Sequence, residues 1–206
     1  MELSLDPIST NRFVLRPFRR RDADALYSAV RVSINEIHMW LPWAHLAYGR
    51  LEASQFVRES MKAWRETRAY DYSIRDANDE QNQHLGNVSI WFVSRGFRTG
   101  EIGYWVRSDR AAQGIATEVT ARMAQVGFEQ LNMHRIVLRI AVGNRGSERV
   151  AEKLHFVREG ILREELKVRG NWLDHTVYSM LDHEYDKHHQ EIADIVAGAR
   201  LPVEDA

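Results

Sequence analysis

The sequence predicts a mixed α/β (α+β) domain in which one central sheet of about seven strands carries helices on both faces. Three observations lead there. Segments with period-two alternation interleave with segments of helical period, in the order β-α-α-β-β-β-α-β-α-β-β. No linker, internal repeat or low-complexity tract divides the 206 residues, a length that suits one good core. The chain is 44% hydrophobic and 28% charged, as globular domains ordinarily are.

The elements follow in order. Phe13-Val14-Leu15-Arg16-Pro17 reads as a short strand stopped by proline. Asp22 is placed to cap a helix whose Leu26, Ala29, Val30 and Ile34 share a face. Residues 38–49, HMWLPWAHLAYG, fit no period and read as a loop rich in aromatic surface. Ala53, Phe56, Val57, Met61 and Trp64 then mark a second amphipathic helix. Strands are expected over 70–74 and 85–93, joined by the polar turn DANDEQNQ, and a third over 100–107, GEIGYWVR. Ala116, Val119, Met123 and Val126 form the next helical stripe, and residues 135–142 alternate again. Val150, Ala151 and Leu154 share a face of a short helix, and Arg169-Gly170-Asn171 closes a hairpin. One domain is expected over residues 1–181, followed at 182–206 by a polar, His-rich tail that is helical through Ile192 to Val196.

A formal net charge of −1 and a pI near 6.8 give no global argument for nucleic acid or an anionic membrane as partner. An anionic ligand must therefore be held by a local arrangement. The chain has no cysteine, which removes disulfides, thiolate zinc sites and a cysteine nucleophile together. MELSLDPIST lacks the basic start and apolar stretch of a signal peptide, and no run approaches the roughly 18 apolar residues of a membrane span. The expected compartment is the cytoplasm.

The stretch SDRAAQGIATEVTARM, residues 108–123, raises the question of function. Glycine weakens helices, so Gly114, two positions before Ala116 and next to a helix start, calls for a backbone reason. The first amides of a helix have no internal partner and the helix dipole is positive there, so a pyrophosphate fits without any lysine. An ordinary loop glycine is the alternative. The stretch is neither a P-loop, because no Gly-Lys-Ser/Thr follows, nor a G-x-G-x-x-G dinucleotide fingerprint.

GEIGYWV, QGIATE, RIVLRIAVGN and SERVAEKLHF occur in one order, with EGILRE at 159–164 and WLPWA at 40–44. In these pieces, from about Leu15 to Leu181, the chain resembles the GNAT superfamily of acetyl-coenzyme A-dependent N-acetyltransferases. It looks most like the RimJ/RimL-type branch, which acetylates N-terminal amines of ribosomal proteins. The resemblance implies a GNAT fold with a V-shaped opening between the strand ending near Val106 and the one ending near Val142. Coenzyme A would lie there, its pantetheine on the backbone of Tyr104, Trp105 and Val106. Its pyrophosphate would sit on the amides of Gln113, Gly114, Ile115, Ala116 and Thr117, with Asn144 alongside. The loop departs from the family pattern at Ala111, which stands where Gln or Arg is usual; Arg107 and Arg110 lie close in sequence.

An amine attacks a thioester only when neutral, and an α-amino group has a pKa near ~8, so a general base helps. The RimL-like pattern puts a candidate acid at Ser147, which shares a helix face with Val150, Ala151 and Leu154. The other reading of Ser147 is that it merely helps the helix start beside the better cap Asn144. The family's carboxylate base falls at Leu166. Alternation puts Leu162, Glu164, Leu166 and Val168 on one strand face, with Arg163, Glu165 and Lys167 opposite. Glu164, a charge on an apolar face, is the expected substitute base, with His134, His155 or a water relay as fallbacks; the other reading of Glu164 is a strand-end pairing with a nearby arginine. Trp40, Trp43 and Tyr48 are the expected acceptor wall, although they could simply cap the core.

His183-Glu184-Tyr185-Asp186-Lys187 starts like a zinc-protease motif but has Lys where the second His must be, and His188 and His189 read as solvated; no metal is expected. The resulting expectation is transfer of acetyl from acetyl-coenzyme A to a protein N-terminal amine. The alternatives are a small-amine acceptor such as an antibiotic or polyamine, or a coenzyme A-binding protein without catalysis. The sequence leaves the oligomeric state, monomer or homodimer, open.

Overall fold

The computed structural model describes residues 3–198. Eight strands form one sheet: β1 (Ile8–Ser9), β2 (Phe13–Pro17), β3 (Ala69–Asp76), β4 (His84–Ser94), β5 (Thr99–Val106), β6 (Arg135–Ala141), β7 (Val157–Val168) and β8 (Asn171–Leu181). Their spatial order is β1-β2-β3-β4-β5-β6-β8-β7, antiparallel at every junction except β5–β6. The helices are α1 (Ala23–Ile37), α2 (Arg50–Arg65), α3 (Ile115–Gln125), α4 (Arg145–Lys153) and α5 (Asp182–Val196). Seven of the strands are those that alternation marks. The eighth, β1, has two residues, too few for a period.

Alternation divides β5 between two cores. Ile102, Tyr104 and Val106 face the larger one, where Ile136, Leu138 and Ile140 of β6 meet Val119 and Met123 of α3. α5 seats Tyr185, Ile192 and Ile195 in the same core, so the polar segment after Leu181 packs one face of its helix against the domain; residues 199–206 lie outside the described ones. Trp105 points the other way, into a second cluster with Leu26, Val30 and Ile34 of α1 and Ala53 and Val57 of α2. The β7–β8 hairpin turns on Arg169 and Gly170, at φ +53° and +84°, the left-handed pair that a two-residue turn requires.

Asp22 does not cap α1. Its own backbone is helical, and its carboxylate takes two bonds from Arg16 at 2.7 and 2.8 Å, one from the Arg19 N–H at 2.7 Å and one from Arg75 at 3.4 Å. Two buried guanidiniums outcompete the helix amides, because charge-assisted bonds are the stronger ones. Burial opposes ionisation of Asp22, but Arg16, the Arg19 amide and Arg75 outweigh it and hold the carboxyl below its usual value of 3.8. Its stabilising contribution is complete above that value and is lost as pH falls through the depressed one. Thermal melting followed against pH should therefore fall more steeply below about pH 4 in the native chain than in Asp22→Asn.

Candidate active site

β5 and β6 are paired only at Thr99–Arg135, Gly100–Ile136 and Glu101–Val137, and then part. Each stays paired on its outer side, β5 to β4 as far as Val106 and β6 to β8 as far as Ala141. The inner edges of 102–106 and 138–141 thus border a gap, and their backbone polar groups are free to pair with an extended amide ligand. A cavity of about 460 Å³ runs from this gap to the start of α3. It is lined by Tyr104, Trp105 and Val106 on one side, Gly114, Ile115, Ala116 and Thr117 at the end, and Asn144 and Ser147 of the α4 start opposite.

At that end the first bond of α3 runs from the Glu118 N–H to the Gly114 carbonyl at 3.0 Å. The amides of Ile115, Ala116 and Thr117 therefore have no helical acceptor and meet the cavity, as a diphosphate requires. Gly114 has φ +77° and ψ 4°, a left-handed backbone that glycine adopts without strain, which answers why glycine stands there. Gln113 is exposed and does not line the cavity; its carbonyl instead accepts from Arg12 Nη1 at 3.0 Å. Arg110, Arg149 and Lys153 stand around the cavity and supply the positive charge that Ala111 does not. Arg107 is not available for this, since it is buried against Asp109 with bonds of 2.9 and 2.7 Å. The donor set fits coenzyme A: a free strand edge for the pantetheine amides, free helix amides for the diphosphate, and cations beside it.

A second cavity, of about 220 Å³, continues from the gap along the opposite face of the sheet and holds the ionisable groups. Glu101 projects from β5, Arg139 from β6, His175 from β8 and Glu165 from β7; Ser147 lines this cavity as well. Arg139 bonds Glu101 at 3.0 and 2.5 Å and Glu165 at 2.6 Å. Burial pushes the Glu101 carboxyl up, against the pull of Arg139, while the bonds it donates to Glu101 raise the Arg139 guanidinium. Glu165 Oε2 and His175 Nδ1 are both buried, neither makes a hydrogen bond among the described residues, and they lie 3.6 Å apart.

The carboxylate in the cleft is thus Glu165, and Glu164 is outside it. β7 carries an irregularity: Leu162 pairs with His175 and Leu166 with Leu173, so residues 163–165 oppose the single residue Asp174. The extra residues break the alternation on which Glu164 was expected to face inward. Glu164 takes φ +52°, is exposed, and donates its N–H to Asp174 Oδ1 at 2.8 Å. The same irregularity lets two consecutive residues, Glu165 and Leu166, line one cavity.

The other expected positions divide. Asn144 caps α4, accepting from the Ser147 N–H at 3.3 Å, and Ser147 is half-buried between the two cavities. Tyr104 sends its hydroxyl toward the Ser147 carbonyl at 3.5 Å, and burial raises its pKa to about 12. Trp40 borders the cofactor gap, whereas Trp43 and Tyr48 wall a third, apolar cavity of about 510 Å³ beside it. His134 is exposed against Asp182, and His155 stacks on His188; neither lines any of these cavities. Glu101, Arg139 and His175 went unread in the sequence; their one signal is a charged or imidazole side chain inside otherwise apolar strands.

The family model described as the acetyltransferase (GNAT) domain matches residues 12–157. The probable N-acetyltransferase YjcK of Bacillus subtilis (strain 168) is 36% identical over 114 residues, 55% of this chain and 62% of that protein's length. YdaF of the same organism, whose name assigns it provisionally to ribosomal N-acetylation, is 27% identical over 172 residues, covering 84% of this chain and 92% of YdaF. Among solved structures, RimL, the ribosomal L7/L12 α-N-protein acetyltransferase in complex with coenzyme A, superposes with a TM-score of 0.79 at 21% identity, over 87% of this chain and 99% of that one. With its splayed strands and free α3 amides, the chain belongs to the GNAT family and is an acetyltransferase that uses acetyl-coenzyme A.

Proposed function

We propose that the acceptor is the N-terminal amine of a protein, a ribosomal protein by class, and that Glu165 is the base. The acceptor class follows the names carried by YdaF and RimL, and one observation in this chain supports it. The third cavity, walled by Trp43, Tyr48, Phe56, Trp91 and Trp105, contains one oriented amide, that of Asn87. Ser73 Oγ accepts from Arg75 Nε at 2.7 Å and donates to His84 Nδ1 at 2.8 Å; His84 Nε2–H then donates to Asn87 Oδ1 at 2.9 Å. Burial and then Arg75 push the His84 pKa down to about 3, so the ring stays neutral and the relay keeps one direction. The Asn87 Nδ2 amide is left to donate into a largely aromatic cavity, whose lining also carries the paired His45 and Glu52. A peptide N-terminus offers it a carbonyl next to an apolar side chain; a polyamine has no acceptor to offer.

In the reactive cleft the acceptor arrives as an ammonium ion. Glu165 Oε2, unpaired, takes one proton, and His175 Nδ1 at 3.6 Å is the next acceptor in line. The neutral amine attacks the acetyl carbonyl, the oxyanion meets a backbone N–H on the free edge of β5, and the sulfur departs with the proton of Ser147 Oγ–H, which the proton shed by the attacking nitrogen replaces. Arg139 keeps Glu101 and Glu165 side by side without their charges driving them apart. The setting for this activity is the cytoplasm.

Thiol release from acetyl-coenzyme A, measured over a panel of N-terminal peptides and polyamines, tests the acceptor. Asn87→Leu should lower kcat/KM for peptides roughly five- to hundredfold, the cost of losing a buried bond and stranding its partner, and leave protection by coenzyme A intact. Equal losses for peptides and polyamines would remove Asn87 from recognition, and turnover of polyamines alone would move the enzyme to the small-amine class.

A further inference from the structure

Away from the three cavities, on the outer side of α5, His155, His188 and Glu191 bring their ligand atoms within 4.8 Å of one another. We propose that they form a site for a borderline divalent cation, Zn²⁺ before others, which clamps α5 to the turn that ends α4.

The three groups come from two well-anchored elements. His155 lies between α4 and β7, flanked by Leu154 and Phe156, both buried in the main core. It has φ +61°, held by its N–H bond to the Glu152 carbonyl at 3.0 Å and by the Phe156 N–H on the Ala151 carbonyl at 3.0 Å. His188 and Glu191 stand one turn apart on α5, and His188 falls between the buried Tyr185 and Ile192, three and four residues away. Packing therefore fixes the backbone that carries all three side chains.

Their donor types and closeness point to a cation. The two imidazoles lie face to face, centroids 4.0 Å apart and planes 6° from parallel. His155 Nε2 is 2.7 Å from Glu191 Oε2, and His188 Nδ1 is 3.5 Å from Glu191 Oε1, so both rings turn a nitrogen to one carboxylate. A single divalent ion would need one ring to turn out of the stack, because a metal binds in the plane of an imidazole and parallel rings share no such plane; both nitrogens and a carboxylate oxygen are then within its reach. Two imidazoles and a carboxylate are the donor set of zinc and its neighbours, not of calcium or magnesium. Both histidine side chains are 33% exposed and Glu191 is 52% exposed, which leaves room for water in the remaining coordination positions. Among the described residues no other trio of such groups converges as closely.

The test uses the untagged full-length protein, freed of metal by chelation and dialysis and titrated with zinc sulfate in a calorimeter. One equivalent should bind with micromolar affinity, and the melting temperature should rise with it. Cobalt(II) in place of zinc should show the visible absorption of a low-coordinate N/O site. His155→Ala, His188→Ala and Glu191→Gln should each weaken binding by at least about tenfold and remove the thermal shift. His183→Ala, on the same helix but outside the trio, should change nothing. Absence of saturable binding up to millimolar zinc, or binding that survives His155→Ala and His188→Ala, overturns the proposal.

Discussion

Glu165→Gln should lower turnover by roughly 10²–10⁴-fold, the range for loss of a general base. Of the carboxylates in the cleft, Glu101 gives both oxygens to Arg139, whereas Glu165 keeps one oxygen unpaired beside His175 Nδ1. Glutamine preserves the shape and can still accept from Arg139, so the loss should fall on kcat with the affinity for coenzyme A hardly altered. The deficit should shrink as pH rises toward and beyond ~8, where the acceptor amine is already neutral. Glu164→Gln, exposed on the bulge, is the control and should be nearly silent. A deficit of equal size at Glu164, or a pH-independent deficit at Glu165, would remove Glu165 from proton transfer.

Gly114→Val should abolish the protection against heat that coenzyme A gives the native chain. At φ +77° a β-branched residue is a steric outlier, and an added Cβ would come within 3.3 Å of Arg12 Nη2. The loop is then driven from the conformation that frees the Ile115–Thr117 amides, at a cost of about 1–3 kcal/mol. Affinity should fall by one to two orders of magnitude, as a raised KM for acetyl-coenzyme A with kcat largely recovered at saturation. Gly114→Ala should show a milder form of the same defect. Native affinity in Gly114→Val would mean that the diphosphate lies elsewhere.

The shape of the cavity at the start of α3 was legible in the sequence because it depends on backbone. A glycine before a helix and a strand followed by a loop carry their geometry in local residue types, and Tyr104–Val106 and Gly114–Thr117 line the cavity as expected. The catalytic half depends on register. Nothing in EGILREELKV marks Leu162–Leu166 as irregular: there is no glycine or proline at the break, and Glu164 takes a left-handed backbone held by Asp174 from the neighbouring strand. Glu101, Arg139 and His175 come together only through the pairing of β5, β6, β7 and β8, a long-range fact that no single strand carries. Asp22 was misassigned for a related reason. Its strongest partner beyond the local chain, Arg75, is 53 residues away.

The turn before β2 joins ends that are far apart in the chain. Arg12 Nε holds Glu118 of α3 at 2.7 Å, Arg12 Nη1 holds the Gln113 carbonyl, and the neighbouring Asn11 N–H holds the Val196 carbonyl at the end of α5. The loop at the start of α3, where a diphosphate would sit, is thus anchored from outside its own helix. By linkage, whatever coenzyme A gains from the ordered loop it returns as tighter seating of the first strands and the last helix. Occupancy should then be readable at a distance, as slowed amide hydrogen exchange around residues 9–13 and at the end of α5. Residues 9–13 and the last turn of α5 would thereby report on a ligand bound at the start of α3.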